Sequence, residues 1–492
     1  MTEISTYLLL VLRGLENLVE EEIRSKLQVE TLKICSVQEN SCPPYMQVMQ
    51  GEAAVGKIIL ETRSSATEVQ ELRSVQAMLA LLAHSDEIDT KSGTGVDQIG
   101  HLLMQSKYWD AAVKLWQEHA VHHVDDNTIK FRGSCVRDGK HAYNSQTVAG
   151  EIGARVVEKF GWSVNLTVFD LEVVVVIFYK FMVAGIALAD PHKIQFRNRL
   201  ANECRNALAD SKYVSTLRPS TAYLMLQLAK HNYGDTVLDS MCGIGTLPIC
   251  AADFTNDGIY ALGGELDELP SKKAGKNTNT RARLVDIVRW DSARLPLRNH
   301  SIDRIMIDMP FGVRCGNQRQ NNKMYPRIFK ELLRVLHPNG RAVLLVISKK
   351  LFKGAIKDLP FQVVAQHMVN IGDGAEDCKD LGAPVNFCKK RSNSSRKKVT
   401  KISRSNNRSS RTTALISSFH RCLWLSTTFE PNQPEYIYRF AEDRVDSVMT
   451  KDTKVTMEQQ QKSIEVVAQA LAKAEEALDN SHAAEFLGIK GF

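Results

Sequence analysis

The sequence predicts an α/β protein with a doubly wound parallel sheet in its second half, preceded by a smaller α+β module. The main observation is that short apolar runs alternate with helical segments after about residue 216. Such runs lie around Val237, Tyr260, Val288, Ile305, 342–346 and 363–369. A second observation is a glycine turn directly after the first run. Strands that alternate with helices in this way are typical of doubly wound sheets.

The glycine turn is the sequence Asp239-Ser240-Met241-Cys242-Gly243-Ile244-Gly245. It follows the apolar run 236–238 and precedes a helical pattern that begins at Thr246. A strand, a glycine turn and a helix in this order form the place where a parallel sheet binds a nucleotide-like ligand. Glycine has no Cβ, so the backbone can approach such a ligand closely. The residues expected to line the site are Asp239, Met241, Gly243 and Gly245.

The next two predicted strands each end in an acid. Glu265 ends the second strand, about 20 residues after the glycine turn, where an acid hydrogen-bonds ribose hydroxyls. Asp291 ends the third strand and is placed to accept a hydrogen bond from an adenine amine, with Ser292 beside it. A dinucleotide site expects a third glycine at position 248, which is a proline here. The glycine turn and the two acids that follow it therefore favour S-adenosylmethionine over a nicotinamide cofactor.

The tetrapeptide Asp308-Met309-Pro310-Phe311 follows another buried-strand run, 69 residues after Asp239. An acidic acceptor, a backbone carbonyl and an aromatic ring suit an exposed planar base that carries an amino group. We expect Asp308 and the carbonyl of Met309 or Pro310 to accept hydrogen bonds from that amine. Phe311 would stack on the base. The predicted catalytic residues are therefore Asp308, Pro310 and Phe311.

Several segments together resemble one family, the THUMP-domain RNA guanine-N2 methyltransferases. They are 217–223, the 241–243 turn, Trp290-Asp291, 295–298, Asp303 and 308–312. The resemblance covers residues 125–190 and 215–372 well. The sequence departs from the family at three positions: Ser240 replaces a usual Pro, Glu265 a common Asp, and Met309 a common Leu or Pro. All three changes are chemically mild.

The resemblance implies an enzyme that methylates the N2 amine of a guanosine in RNA, above all in tRNA, with S-adenosylmethionine as cofactor. It also implies a small zinc-containing activator subunit. Family members that act on U6 spliceosomal RNA make that RNA the alternative substrate. Two other classes stay open: an amino methyltransferase for DNA adenine or protein glutamine, and a non-catalytic RNA-binding protein with a methyltransferase-like domain.

The segment from 128 to 189 is similar to the second half of a THUMP domain, the family's RNA-binding module. An alternating strand at 129–137 is followed by a predicted helix at 145–160 and by strands at 164–168, 171–178 and 182–188. If the resemblance holds, phosphate contacts would come from Arg132, Arg137, Lys140 and His141. Upstream, Trp109 and Trp116 lie on a predicted helix and are interpreted as core residues.

These observations predict four regions. Residues 1–190 form a ferredoxin-like region plus the THUMP domain, 191–215 a linker, 216–430 the methyltransferase domain, and 431–492 a tail with an amphipathic helix at 457–478. The methyltransferase domain contains a basic low-complexity insert at about 384–418, in which ten Lys and Arg and no acid lie between Lys389 and Arg411. Such a tract adds salt-dependent RNA affinity or serves as a nuclear localisation signal.

The amino-acid composition further narrows the classes of protein to which the chain can belong. The chain has 63 Lys and Arg against 56 acids, a net charge of +7, and its ten cysteines contain no C-x-x-C pair. Neither a zinc site nor a disulfide framework is predicted, and no metal is expected. The apolar run 171–189 contains Glu172, Lys180 and many β-branched residues, which favours two buried strands over a membrane helix. We expect a soluble cytoplasmic protein, with the nucleus as a second location.

Overall fold

The computed structural model describes residues 3–39, 50–91, 93–120, 128–188, 217–278, 284–310, 318–346, 349–370 and 420–425. Four features of the sequence lie outside these ranges: the predicted linker, Phe311, the basic tract and the amphipathic C-terminal helix. Within the described ranges, no helix is long and apolar enough to cross a membrane.

The N-terminal region begins with a ferredoxin-like unit. Its elements are β1 (Ser5–Val11), α1 (Glu16–Lys26), β2 (Val29–Gln38), β3 (Glu52–Thr62), α2 (Ala66–Gln70) and β4 (Val75–Ser85). The strands pair in the order β2-β3-β1-β4, and each pair is antiparallel. A β-α-β-β-α-β chain with this strand order is the ferredoxin-like arrangement.

The same sheet continues into the THUMP-like half, so that eight strands form one surface. The further elements are α3 (Thr94–Met104), α4 (Trp109–His119), β5 (Lys130–Asp138), α5 (Ser145–Phe160), β6 (Ser163–Val164), β7 (Leu171–Phe178) and β8 (Phe181–Ala187). β8 pairs with β4 and joins the two halves, and the order continues β8-β7-β5-β6. Trp109 and Trp116 are both buried, as predicted.

One predicted strand is wrong over most of its length. The run 164–168 alternates like a strand, but β6 ends at Val164. The Oδ1 atom of Asn165 accepts hydrogen bonds from the amides of Thr167 (3.1 Å) and Val168 (3.0 Å). An asparagine that caps the backbone two and three residues ahead forms a turn, which competes with strand pairing.

The C-terminal sheet is doubly wound, as predicted. Its strands are β9 (Thr236–Asp239), β10 (Tyr260–Glu265), β11 (Val285–Arg289), β12 (Ile302–Asp308), β13 (Leu336–Val346), β14 (Ala365–Asn370) and β15 (His420–Leu425). They lie in the order β11-β10-β9-β12-β13-β15-β14, and only β15 is antiparallel to its neighbours. The helices are α6 (Pro219–Ala229), α7 (Thr246–Phe254), α8 (Glu268–Thr278), α9 (Gln318–Val335) and α10 (Lys349–Ile356).

The two sheets contact each other through α1 and α6. Tyr223 of α6 hydrogen-bonds Glu22 of α1, and burial together with this carboxylate raises the pKa of the tyrosine. The Nζ atom of Lys26 lies 5.6 Å from the centre of the Tyr223 ring. Beside them, Gly14 packs so closely on β14 that a Cβ there would lie 2.1 Å from the carbonyl oxygen of Met368. The N-terminal region is therefore packed directly against the second domain.

Candidate active site

The predicted site residues meet where the order of the second sheet reverses. β9 lies between β10 and β12. The strands that follow it in sequence, β10 and β11, lie on one side, and the chain then returns to place β12 and β13 on the other side. Ligands of doubly wound sheets bind at this point, beyond the carboxyl ends of the strands. β9 ends in Asp239 and β12 in Asp308. Burial raises the pKa of Asp239, and the nearby Asp308 and Glu265 carboxylates raise it further. Three acids therefore converge at one edge of the sheet.

The glycine turn is held by two of these acids. The Met241 amide donates to Asp239 Oδ1 (3.0 Å), and the Gly243 amide donates to Glu265 Oε2 (3.0 Å). The other oxygen of Glu265 accepts from the Asp267 amide (3.0 Å). Glu265 therefore links the turn to the end of β10. Burial raises the pKa of Glu265, while the backbone hydrogen bonds act in the opposite direction.

The two glycines of the turn do different things. Both have a positive φ, +56° at Gly243 and +88° at Gly245. A Cβ on Gly243 would meet no atom within 4 Å, as expected for a residue that faces a ligand site. A Cβ on Gly245 would lie 3.1 Å from Ile249 and 3.3 Å from Ala274. Gly245 is thus required by the start of α7 and its packing. Gly243 is the glycine of the turn that has room beside it for a ligand.

Ser292 holds the turn from inside the protein. Its Oγ atom donates to the Ser240 carbonyl (2.7 Å) and lies 2.6 Å from Ser240 Oγ. Trp290 Nε1 donates to the same carbonyl (3.3 Å). The hydroxyl of Ser292 is thus used within the fold, and its contact with a ligand stays a prediction. Ser240 supplies the second hydroxyl of this pair.

Gly264 is a site residue that the sequence reasoning missed. A Cβ on it would lie 1.6 Å from Trp290 Nε1, so only glycine lets the indole cross the end of β10. The available signal was the pair Gly263-Gly264 directly before Glu265. Asp291 lies two residues beyond the end of β11, which stops at Arg289 and not at Asp291 as predicted, and its Oδ1 atom accepts from the Ala293 amide (2.9 Å).

The tetrapeptide continues the line of β12. The Met309 amide donates to the Leu345 carbonyl (3.0 Å), as the next bond of a parallel ladder would. The Pro310 carbonyl accepts two bonds, from Asn321 Nδ2 (2.7 Å) and from the Tyr325 hydroxyl (2.9 Å). A carbonyl oxygen has two lone pairs, so both are used. Of the two carbonyls predicted to face a base amine, the one at Pro310 is therefore already occupied.

The N-terminus of α6 reaches the same edge of the sheet. Near its other end, the Lys230 carbonyl accepts from Arg304 of β12 (3.1 Å) and the Leu228 carbonyl from Arg341 of β13 (3.3 Å), two residues that face each other where the regular parallel pairing of these strands begins. The helix therefore runs antiparallel to these strands. Ser220 and Thr221, in its first turn, are each only 1% exposed. Among the residues that the structure describes, neither hydroxyl has a hydrogen-bond partner.

These groups fit S-adenosylmethionine, the cofactor that the sequence predicts. The ligand carries two positive charges, on a sulfonium and an ammonium group, and three carboxylates converge here to match them. It also carries one carboxylate, which a helix N-terminus with two buried hydroxyls can bind. Gly243 leaves open space beside the turn. The donors and acceptors at this edge are thus complementary to each charged part of the ligand.

The predicted RNA-binding residues divide into two groups. Arg137 and His141 line a cavity of about 550 Å³ together with Asn144 and Thr147 at the start of α5. The Nη1 atom of Arg137 lies 2.9 Å from His141 Nδ1, and His141 Nε2 lies 2.6 Å from the Tyr179 carbonyl. Burial and the Arg137 charge lower the pKa of His141. The neutral histidine therefore accepts from Arg137 and orients its guanidinium at the cavity.

Arg132, on the same strand, has another role. Its guanidinium forms an ion pair with the buried Glu172 (2.6 Å) and lies 4.3 Å from the centre of the Phe169 ring. These contacts make it a structural residue of the sheet. Lys140 is exposed, so its side chain is accessible to a phosphate group. The structure thus brings Arg137 and His141 together and places Arg132 apart from them.

The sequence matches known proteins over the second half of the chain. Residues 209–376 match the UPF0020 family, described as an RMKL-like methyltransferase domain. The chain is 34% identical over 274 residues to the bovine (Bos taurus) tRNA (guanine(6)-N(2))-methyltransferase THUMP3, and the match covers 52% of each protein. It is 30% identical over 226 residues to the human (Homo sapiens) U6 snRNA (guanine-N(2))-methyltransferase THUMPD2, covering 44% of this chain and 41% of that one. The chain spans about half the length of the curated relatives it matches.

The fold matches solved structures over a larger part of the chain. TrmN from Thermus thermophilus has a TM-score of 0.54 and 21% identity, with 75% of this chain and 96% of that chain covered. SMU.472, a methyltransferase complexed with SAH, has a TM-score of 0.51 and 9% identity, with 87% of this chain and all of that chain (100%) covered. At these identities the likeness concerns the fold alone. It extends over both sheets, so the combination of the two modules is shared.

Proposed function

The chain carries a methyltransferase domain of the UPF0020 family and is related to the THUMP-domain guanine-N2 methyltransferases, and from this we propose that it methylates the N2 amine of a guanosine in tRNA. The observation that carries the proposal is the position of Asp308. It ends β12 at the point where the sheet order reverses, close enough to Asp239 for the two carboxylates to affect each other. A substrate amine bound by Asp308 is thereby brought next to a methyl donor bound at the turn.

The chain's own residues would hold the cofactor at several points. Glu265 accepts from the ribose hydroxyls and Asp291 from the adenine amine. Gly243 gives the ligand room at the turn. Asp239 faces the positive charge of the methionine part, and the start of α6, with Ser220 and Thr221, binds its carboxylate. When bound, S-adenosylmethionine supplies an electrophilic methyl group on a positively charged sulfur.

The residues of the tetrapeptide prepare the amine for attack. The lone pair of a guanine N2 amine is delocalised into the ring, so the amine is a poor nucleophile. Hydrogen bonds to the Asp308 carboxylate and to the Met309 carbonyl localise this lone pair and fix its direction, and orientation alone contributes much of the rate. The N2–CH₃ bond forms as the S–CH₃ bond breaks. The methylated nitrogen then loses one proton, to Asp308 or to water.

The N-terminal region would supply RNA affinity. A guanosine in a stem must be flipped out of its stack, at a cost of a few kcal/mol. Phosphate contacts by Arg137 and Lys140, together with the basic tract between Lys389 and Arg411, offset this cost. The family that the sequence resembles carries such a module, and enzymes that act on DNA adenine have no need of one. We also propose a small zinc-containing activator subunit as a partner, on the family resemblance.

One experiment tests the substrate and the reaction. The purified protein, with and without the activator subunit, is incubated with labelled S-adenosylmethionine and with tRNA, U6 RNA or DNA, and the products are digested to nucleosides for mass spectrometry. The proposal expects N2-methylguanosine from tRNA. Methylguanosine from U6 RNA alone would favour the second substrate, which the match to THUMPD2 makes the specific alternative. Methyladenosine, or no product with any substrate, would contradict the proposal.

A further inference from the structure

Two side chains of α9 hold the Pro310 carbonyl inside the protein. Asn321 and Tyr325 are four residues apart and therefore lie on the same face of the helix. Both donate to this oxygen, at 2.7 Å and 2.9 Å, and they are only 2% and 1% exposed. Two buried donors on one carbonyl fix its direction firmly.

Asn321 and Tyr325 form a clamp on the Pro310 carbonyl, and Tyr325 is itself packed in place. The Tyr325 ring packs edge-on against Phe329, with 5.8 Å between the ring centres, and Phe329 packs in turn against Phe352. Burial raises the pKa of Tyr325, and the Asp308 charge raises it further. The hydroxyl therefore stays protonated and remains a donor. The effect of the Asp308 charge also shows that the clamp lies near the proposed catalytic carboxylate.

The clamp holds the backbone that follows Asp308. Met309 precedes a proline and is restricted to extended conformations. Its amide still follows the β-ladder, by its bond to Leu345 (3.0 Å). The chain after Asp308 is therefore held twice, by β13 at the Met309 amide and by α9 at the Pro310 carbonyl.

We infer that Asn321 and Tyr325 are positioning residues of the methyl transfer: by holding the Pro310 carbonyl they fix the backbone at the end of β12, and with it the Asp308 carboxylate that is proposed to bind the substrate amine. The inference rests on the proposed function and deepens it. Neither side chain touches the base. Both act through the Pro310 carbonyl, two residues after Asp308, so that without them the Asp308 carboxylate loses its alignment. A misplacement of about 1 Å in such a site can cost about 100-fold in rate.

The test compares two Tyr→Phe changes in the full-length protein. Tyr325→Phe removes only the hydroxyl that binds Pro310. Tyr260→Phe is the matched control: that hydroxyl is also buried and bonded, to Asp286 at 2.5 Å, but it lies at the start of β10, away from the carboxyl edge. Asn321→Leu and the double variant Tyr325→Phe with Asn321→Leu complete the set. For each protein we would measure kcat and KM with tRNA, the Kd for S-adenosylmethionine, and Tm.

We expect kcat to fall about 10-fold in Tyr325→Phe and about 100-fold in the double variant, with KM and cofactor Kd close to wild type. Tyr260→Phe should lower Tm to a similar extent and keep the wild-type kcat. Wild-type kcat in Tyr325→Phe and in the double variant would overturn the inference alone, as would equal kcat losses in Tyr325→Phe and Tyr260→Phe. If the wild-type protein formed no N2-methylguanosine, the proposed function would fall, and this inference with it.

Discussion

At the scale of single residues, the site brings three carboxyl groups together in a partly buried place. Asp239 is buried, and its pKa is raised by burial and by two neighbouring carboxylates, Asp308 and Glu265. Removing carboxylates from water and bringing them together both cost free energy. A ligand with positive charges offsets this cost. The acids therefore make the apo site unfavourable and cofactor binding favourable.

This charge predicts a dependence of cofactor binding on pH. The folded pKa values of Asp239 and Glu265 are raised. Their contribution to stability is therefore full below the unfolded pKa and is lost as pH rises through the folded pKa. Because the cationic cofactor binds the ionised acids, its affinity should rise over the same window, with release of protons. Calorimetry in two buffers of different ionisation enthalpy measures this release.

Glu265→Gln is the control for this prediction. It keeps the size of the side chain and removes one of the titrating groups, so fewer protons should be released and the affinity should be lower. The same proton release in wild type and in Glu265→Gln would contradict the role of this carboxylate. Affinity that falls as pH rises would contradict the whole charge argument.

The two glycines of the turn should respond differently to the same change. Gly243→Ala places a Cβ in open space, so we expect a modest loss of stability, about 1 kcal/mol from its positive φ, and a clear loss of S-adenosylmethionine affinity. Gly245→Ala adds contacts tighter than normal with Ile249 and Ala274, and should lose more stability. Chemical denaturation and calorimetry separate the two effects. Unchanged cofactor affinity in a folded Gly243→Ala protein would remove Gly243 from the site.

At the scale of elements, strand β5 carries two arginines with opposite roles. Arg137→Gln should weaken tRNA binding and reduce its salt dependence, since a phosphate contact would be lost. Arg132→Gln, on the same strand, should leave RNA affinity nearly unchanged and lower Tm, because Glu172 would stay buried without its partner. Filter binding at several salt concentrations, beside melting curves, tests both. Equal losses of RNA affinity in the two variants would contradict the division.

The elements that the sequence predicted well are those with a strong periodic pattern of their own. Helix α5 has the predicted bounds because it repeats the helical period throughout, and strand β7 because its apolar, β-branched run is continuous. The turn at Asn165 was missed, since an alternating pattern does not reveal a side chain that caps its own backbone. The hydrogen bond between Ser292 and Ser240 was missed for a related reason. The two residues are 52 positions apart and meet only when β9 and β11 lie in one sheet.

Residues that support the site from a separate helix could not be predicted. Asn321 and Tyr325 read as part of an ordinary amphipathic helix, and nothing local marks them as partners of Pro310. The strand ends were predictable, because the carboxyl ends of parallel strands meet at one edge. The sequence thus indicated which groups contact ligands, and the structure was needed to find the residues that hold these groups in place.

At the scale of the whole molecule, the position of the RNA-binding region relative to the active site depends on the contact between α1, α6 and β14. Gly14→Ala should disturb this contact, since its Cβ would lie 2.1 Å from the Met368 carbonyl. Gly51→Ala is the matched control, because Gly51 also has a positive φ (+81°) but nothing within 4 Å of its Cβ position. We expect Gly14→Ala to lower Tm more and to lower kcat/KM for tRNA, with cofactor affinity unchanged. Equal behaviour of the two variants would show that the contact does not set RNA placement.

The central claim is that the Asp308 carboxylate orients the substrate amine for methyl transfer. The most direct measurement is single-turnover methylation of tRNA by Asp308→Ala and Asp308→Asn proteins, with the activator subunit present, beside calorimetry of cofactor binding and a melting curve. Because Asp308 raises the pKa of Asp239, its removal should leave Tm unchanged or higher. We predict a loss of rate of at least about 100-fold in stable proteins that still bind S-adenosylmethionine and tRNA. Near-normal formation of N2-methylguanosine by a stable Asp308→Ala protein would contradict the claim.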